Sequence, residues 1–259
     1  MKLPRRVLIT VILFGAVFTS PKMLVFVTNG NDYSDRLLTN KIHSEYPTVD
    51  CKSVVPNPID SAPIRSPQEV HSVIAAKIFN RDLVEIGTRN GDGMACFAKF
   101  ASSASAIEYD KKYCEELELR ASREKIRFGV QCQDFNLADL DADFITWWQQ
   151  QPLTNDVALE RLKQLQCSGK VRSTAEAILV FDTKWSHDMD DFLSLKQSFS
   201  WYEEVHFNER DVCENFKRKS TAEASKETGF SCARSEGKFI AAGIPVANIS
   251  DDIFRCSKD

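Results

Sequence analysis

The chain has 259 residues and a mass of 29.3 kDa, enough for one domain of ordinary size or two small ones. With 43% hydrophobic and 27% charged residues and only 10 Gly and 9 Pro, it is not disordered, collagen-like or of low complexity. The net charge is −4, but residues 1–27 hold Lys2, Arg5, Arg6 and Lys22 and no acid, so the remainder carries 29 bases against 37 acids. Non-specific nucleic-acid binding needs a basic face that displaces counterions from phosphates. On that ground no nucleic-acid partner is expected.

Lys2, Arg5 and Arg6 precede an apolar run from Val7 to Phe18, interrupted by Thr10 and Gly15. A basic start before a short apolar stretch reads as a secretory signal peptide or a signal anchor over residues 1–27. A cleavage site of the Ala-x-Ala kind is missing, and Met23 to Val27 would lengthen the run toward a membrane span, against Pro21 and Lys22 within it. The expected localisation is therefore the secretory pathway, secreted or single-pass membrane anchored, with membrane attachment through residues 7–27. A buried N-terminal strand or helix is the alternative.

Residues 28–65 are polar and dotted with Pro47, Pro56, Pro58 and Pro63, as in a stem or loose lead-in. An ordered domain is expected from 66 to 259. It opens at Ser66-Pro67-Gln68-Glu69, where a cap, a first-turn proline and a capping-box acid coincide. Val70, Val73, Ile74 and Ile78 mark one apolar helical face.

Strand-like and helix-like segments then alternate. Leu83–Ile86 is a short strand, followed by a glycine-bearing turn at 87–93 and a helix from Met94 to Ala101. Ser105–Tyr109 is the second strand, before a helix over 111–122. Ile126–Cys132 and Asp143–Trp148 are the third and fourth strands, before a helix over 155–166. Ala177–Phe181 is the most apolar strand, and a helix over 188–199 follows it. Trp201–Phe207 and Lys238–Pro245 close the pattern, separated by a charged insert at about 209–236. This order predicts an α/β fold: a doubly wound, mainly parallel seven-stranded sheet with helices on both faces and an antiparallel strand pair at the C-terminal edge.

None of the eight cysteines forms a Cys-x-x-Cys pair, so zinc-ribbon and thioredoxin readings fail. Cys96, Cys114 and Cys132 fall inside regular apolar patterns and are expected as buried thiols. Cys51, Cys167, Cys213, Cys232 and Cys256 are the expected disulfide partners, with pairing open.

The stretch from Leu83 to Gly93 is a strand, a glycine-bearing loop and a helix start in the order that binds ligands in open α/β sheets. Gly87 and Gly91 allow a tight turn and close backbone approach. Glu85 has the wrong charge for a pyrophosphate and suits a cationic or amine-bearing ligand. Twenty-three residues on, Glu108-Tyr109-Asp110 ends the second strand with acids that suit ribose hydroxyls. Asp134 stands after the third strand, where an adenine amino group would need an acceptor. Helix N-terminal acids favoured by the dipole are the plainer reading of Glu108 and Asp110.

On these residues the sequence resembles the class I S-adenosylmethionine-dependent methyltransferases, over about residues 66–247. The resemblance implies that Glu85, Gly87, Thr88 and Gly91 hold the methionine part of S-adenosylmethionine. It implies Glu108 for the ribose and Asp134 for the adenine, with Tyr109 also at the cofactor. Arg89 departs from the pattern, standing where the family often has a second glycine. A nicotinamide-dependent oxidoreductase is the rival within this architecture, disfavoured by the acid at Glu85 and by the lack of a Tyr-x-x-x-Lys couple.

Methyl transfer needs an oriented acceptor, excluded water and, where required, a proton acceptor. The ends of the fourth and fifth strands offer Trp148 as an aromatic wall, Asp182 as an acid ending an apolar strand, and His187 as a base. The fifth-strand end is similar to a catechol-O-methyltransferase-like branch that binds magnesium. Thr183 and Trp148 replace two of its three ligands, so no metal is expected. The expected function is methyl transfer to a small-molecule or peptide-borne O or N acceptor, with a non-catalytic binding or scaffold protein as the alternative.

Overall fold

The computed structural model describes residues 46–56, 58, 67–148, 153–208 and 236–249. All belong to one compact unit, Ile42–Asp259. The segment 1–27, most of the 209–236 insert and Ser66 lie outside the described residues.

A short helix α1 (Cys51–Val54) precedes α2 (Gln68–Lys77), β1 (Asp82–Ile86), α3 (Asp92–Phe100) and β2 (Ser103–Glu108). Then come α4 (Lys111–Glu124), β3 (Gly129–Cys132), β4 (Phe144–Trp147), α5 (Asn155–Cys167) and β5 (Glu176–Asp182). The last elements are α6 (Ser186–Leu195), β6 (Trp201–Asn208) and β7 (Glu236–Pro245). The seven strands form one sheet in the order β3-β2-β1-β4-β5-β7-β6. Strands β1 to β5 pair in parallel, and β7 lies antiparallel between β5 and β6. The α/β architecture expected from the alternation is present.

Strand β5 explains why both faces must be covered. Ala177, Leu179 and Phe181 pack with Leu159 and Leu162 of α5 and Phe192 of α6. Ile178 and Val180 point the other way, into a layer with Val70 and Ile74 of α2 and Phe97 of α3. Successive strand residues face opposite sides, so an all-apolar strand needs a helical layer on each. Fully buried side chains such as Phe181 and Leu159 each contribute about 1.5–3 kcal/mol.

Local starts and stops differ from the sequence expectation in three places. Pro67 is the N-cap of α2 and makes no side-chain cap bond. Glu69 instead accepts the Asn208 amide and pairs with Lys52, so it serves tertiary contacts in place of a capping box. Helix α4 runs on to Glu124 and ends at Lys125 in the left-handed region (φ 53°), which shortens β3 to four residues. Part of the polar lead-in is packed: Cys51 and Val55 are buried against α2 and α3.

Cysteine expectations are corrected as well. Cys96 is bonded to Cys51, because α1 lies across α3 with the two Cα atoms 5.6 Å apart. Its place in an apolar helical pattern concealed that partner. Cys114 is a buried free thiol, whereas Cys132 is free and exposed at the end of an edge strand. Cys167 is disulfide-bonded, as expected.

Against the expectation of a single-pass anchored chain, no helix among the described residues is long and apolar enough to cross a membrane; residues 7–27, where the anchor was expected, lie outside them.

Candidate functional site

The strand order reverses between β1 and β4, both of which run parallel, so a crevice opens at their carboxyl ends. Glu85, Gly87, Thr88 and Gly91 stand on the β1 side of it. Glu85 is 3% exposed at the penultimate position of β1. Gly87 has φ 74°, donates its amide to Ile107 O at 2.8 Å, and has open space where a Cβ would stand. Thr88 is buried, and its hydroxyl donates to Glu85 O at 3.2 Å, closing the turn. Gly91 is the left-handed N-cap of α3 (φ 80°), and a Cβ there would meet Leu117 at 2.6 Å.

Arg89 occupies the position of the departed glycine with φ 53°, the left-handed conformation a glycine adopts without cost. Its backbone amide donates to Glu108 Oε2 at 2.9 Å. The guanidinium lies over Tyr113 and donates to its hydroxyl at 3.0 Å. The loop thus keeps the glycine-like turn with a larger residue.

Glu108 ends β2, 6% exposed, and accepts the amides of Arg89 and Asp110, each at 2.9 Å. A carboxylate offers about four acceptor positions, and these amides occupy two. Tyr109 is 79% exposed beside it. Asp134 is half-buried after β3, with one oxygen bound to the amide and side chain of Asn136.

Asp92, in the first turn of α3, is fully buried and bonded to Arg120 of α4 at 2.7 Å. Arg120 also donates to Asn90 O at 2.7 Å, tying α4 to the glycine loop.

Trp147 and Trp148 part company. Trp147 is fully buried, and its indole N–H donates to Asn155 of α5. Trp148, half-buried on the opposite face, meets Phe239 and His71 edge-on at 5.8 and 6.1 Å. Asp182 pairs in register with Phe239 on β7 and so shares that face. Its Oδ1 accepts the Lys184 amide at 2.9 Å, and its own amide donates to Asp188. The fold therefore brings Trp148 and Asp182 to one side of the sheet. His187 stands on α6, which packs on the other side, with a side chain 67% exposed and 3.1 Å from Asp188. Thr183 turns away to donate to Lys238 O. Among the described residues, no three His, Cys, Asp or Glu side chains are grouped as metal ligands.

Sequence reading missed His71. It is fully buried on α2, edge-on to Phe97 at 5.5 Å. Burial, and then the charge of Arg120, push its pKa down from 6.5 to about 3. A histidine flanked by Val70 and Ile74 on an apolar helical face was the available signal.

No family model and no curated protein matches the sequence. Solved structures do match in shape. A precorrin-8w decarboxylase from Methanobacterium thermoautotrophicum is 13% identical, with 72% of this chain and 94% of that one covered and a TM-score of 0.47. A tRNA (m1A58) methyltransferase from Aquifex aeolicus is 14% identical, with 68% of each chain covered and a TM-score of 0.46. An rRNA methylase from Streptococcus thermophilus is 11% identical, with 70% and 98% covered and a TM-score of 0.44.

The chain has the class I methyltransferase fold. Its strand order, with the antiparallel β7 inserted between β5 and β6, is the feature that identifies it. The expected exclusion of nucleic acid is corrected here, since solved structures of this fold include methyltransferases of tRNA and rRNA. Net acidity opposes a broad basic face only; it does not bear on a small local contact surface.

Proposed function

We propose that the protein binds S-adenosylmethionine at the carboxyl ends of β1 and β2 and transfers its methyl group to an O or N nucleophile of a small-molecule or peptide-borne acceptor. The observation that carries this reading is the pair of buried acids at adjacent strand ends, Glu85 and Glu108, on either side of the Gly87–Gly91 turn. Carboxylates at the carboxyl ends of adjacent parallel strands line the crevice where an open α/β sheet binds its ligand, and they suit an amine-bearing nucleoside.

The residues present fit that group. Gly87 leaves room for close approach, Glu108 can accept ribose hydroxyls at its carboxylate, and Thr88 holds the turn by its bond to Glu85 O. Tyr109 and Asp134 stand at the ribose and adenine side. The bound cofactor supplies an electrophilic methyl group on a sulfonium. Trp148 and Phe239 form an aromatic wall that orients the acceptor and excludes water. Asp182, on the same face, takes the acceptor's proton at its carboxylate; His187, on the opposite face, is left out of this role.

Calorimetry with S-adenosylmethionine and S-adenosylhomocysteine tests the reading. The folded protein is expected to bind both, and Glu85→Ala to weaken binding at least about tenfold. Folded protein that binds neither nucleoside overturns the proposal. Release of S-adenosylhomocysteine against small molecules, peptides and RNA then identifies the acceptor.

A further inference from the structure

Lys77, the last residue of α2, is a cation that the methyl-transfer reading does not use. It is 6% exposed, and its Nζ lies 4.2 Å from the centre of the Tyr46 ring and 4.6 Å from that of Trp201. Ring faces attract an ammonium but do not accept its three N–H groups as oxygens would. Among the described residues, Lys77 has no hydrogen-bond or ion-pair partner. Burial accordingly pulls its pKa below the usual lysine value, against the charges of Glu203 and Glu176.

Beside it is a cavity of about 250 Å³, whose lining includes Lys77 itself, Tyr46, Val49, Val73, Ala76 and Glu203. Glu203 stands between Trp201 and Val205 on the face of β6 that packs against α2. It too has no ion-pair or side-chain hydrogen-bond partner among the described residues. Trp201 opens β6, and its indole N–H donates to Glu176, the first residue of β5. The cavity therefore lies toward the amino ends of the strands, away from the crevice at their carboxyl ends.

The two charges select the occupant. A simple cation would be repelled by Lys77, and a simple anion by Glu203 with Glu176 behind it. A zwitterion offers a carboxylate to Lys77 and an ammonium to Glu203 at once, each a charge-assisted contact. Val49, Val73 and Ala76 supply an apolar wall for a short side chain. The volume lies below the roughly 300–1,000 Å³ of pockets for drug-sized ligands, so the occupant is small.

We infer that this cavity is a binding site for a small free α-amino acid with an apolar side chain, its carboxylate on Lys77 and its ammonium on Glu203. The site is separate from the methyl-transfer crevice, and the inference does not depend on that reading.

Calorimetry on the full chain tests it with L-alanine, L-valine and L-leucine, and with the analogues of each that lack the ammonium or the carboxylate. At least one of the three amino acids is expected to bind saturably, and at least about tenfold more tightly than either of its analogues. Lys77→Met, which keeps an apolar stem between the two rings, should weaken that amino acid at least about tenfold, and Lys77→Arg should retain most of the affinity. Glu203→Gln, at a half-buried position, should weaken it to a similar extent and keeps the test decisive if Lys77→Met does not unfold cooperatively. Failure of all three amino acids to bind, binding that Glu203→Gln leaves unchanged, or binding of inorganic phosphate in their place overturns the assignment. None of these outcomes bears on S-adenosylmethionine at the other end of the sheet.

Discussion

Arg120 Nη1 closes on Asp92 Oδ1 at 2.7 Å with both side chains buried, joining α4 to the first turn of α3. Removing one partner leaves the other charge inside the protein. Arg120→Met is therefore expected to lower unfolding free energy by about 3–5 kcal/mol in urea titrations. Combining it with Asp92→Asn should cost less than the two single changes added, because the buried charge is then gone. A loss under about 1 kcal/mol would place the pair with exposed ones and refute its structural role.

Two glycines of the loop make a matched comparison. Gly87 and Gly91 both have positive φ, 74° and 80°. Alanine at either position carries the left-handed cost of about 1–2 kcal/mol. Only at 91 does the new methyl also collide, with Leu117 at 2.6 Å. Thermal unfolding should rank Gly91→Ala as clearly less stable than Gly87→Ala. Equal midpoints would show that Leu117 yields freely.

Acid should expose the buried histidine. The His71 pKa is about 3 in the fold against 6.5 as the ordinary value. The unfolded chain therefore binds an extra proton between these values. This contribution to stability is complete above pH 6.5 and is lost as pH falls toward 3, by up to about 1.4 kcal/mol per pH unit. His71→Phe should flatten the decline in denaturation midpoint between pH 7 and pH 4. An unchanged slope would mean that other groups govern acid sensitivity.

The two free thiols should differ in reactivity. Burial pushes the Cys114 pKa up to about 12, helped by a thiol hydrogen bond with Cys132 and by the charges of Cys132, Glu108 and Glu118. Cys132 is exposed. Iodoacetamide at mild alkaline pH is expected to label Cys132 in the native protein and Cys114 only on unfolding, as read by peptide mass spectrometry. Native labelling of Cys114 at a similar rate would contradict this order.

Much of the architecture was legible because its signals are local. The apolar run 177–181 and the helical spacing of Val70, Ile74 and Ile78 each lie within a few residues, where backbone periodicity alone selects the element. The turn from Glu85 to Gly91 was legible for the same reason: a strand, two glycines and a helix start adjoin in the chain. The Arg89 conformation was not, since its φ follows from how the loop reaches Glu108 on the next strand.

Sequence by itself determined the α/β alternation, the edge pair and the acids at the ends of β1 and β2. Tertiary structure alone decided the Cys51–Cys96 bond, the Asp92–Arg120 pair and the convergence of His71, Glu85 and Trp148. Each of these joins residues from different elements, 14 to 77 positions apart. Local spacing carries no information about such partners, because packing of helices on the sheet sets which side chains meet.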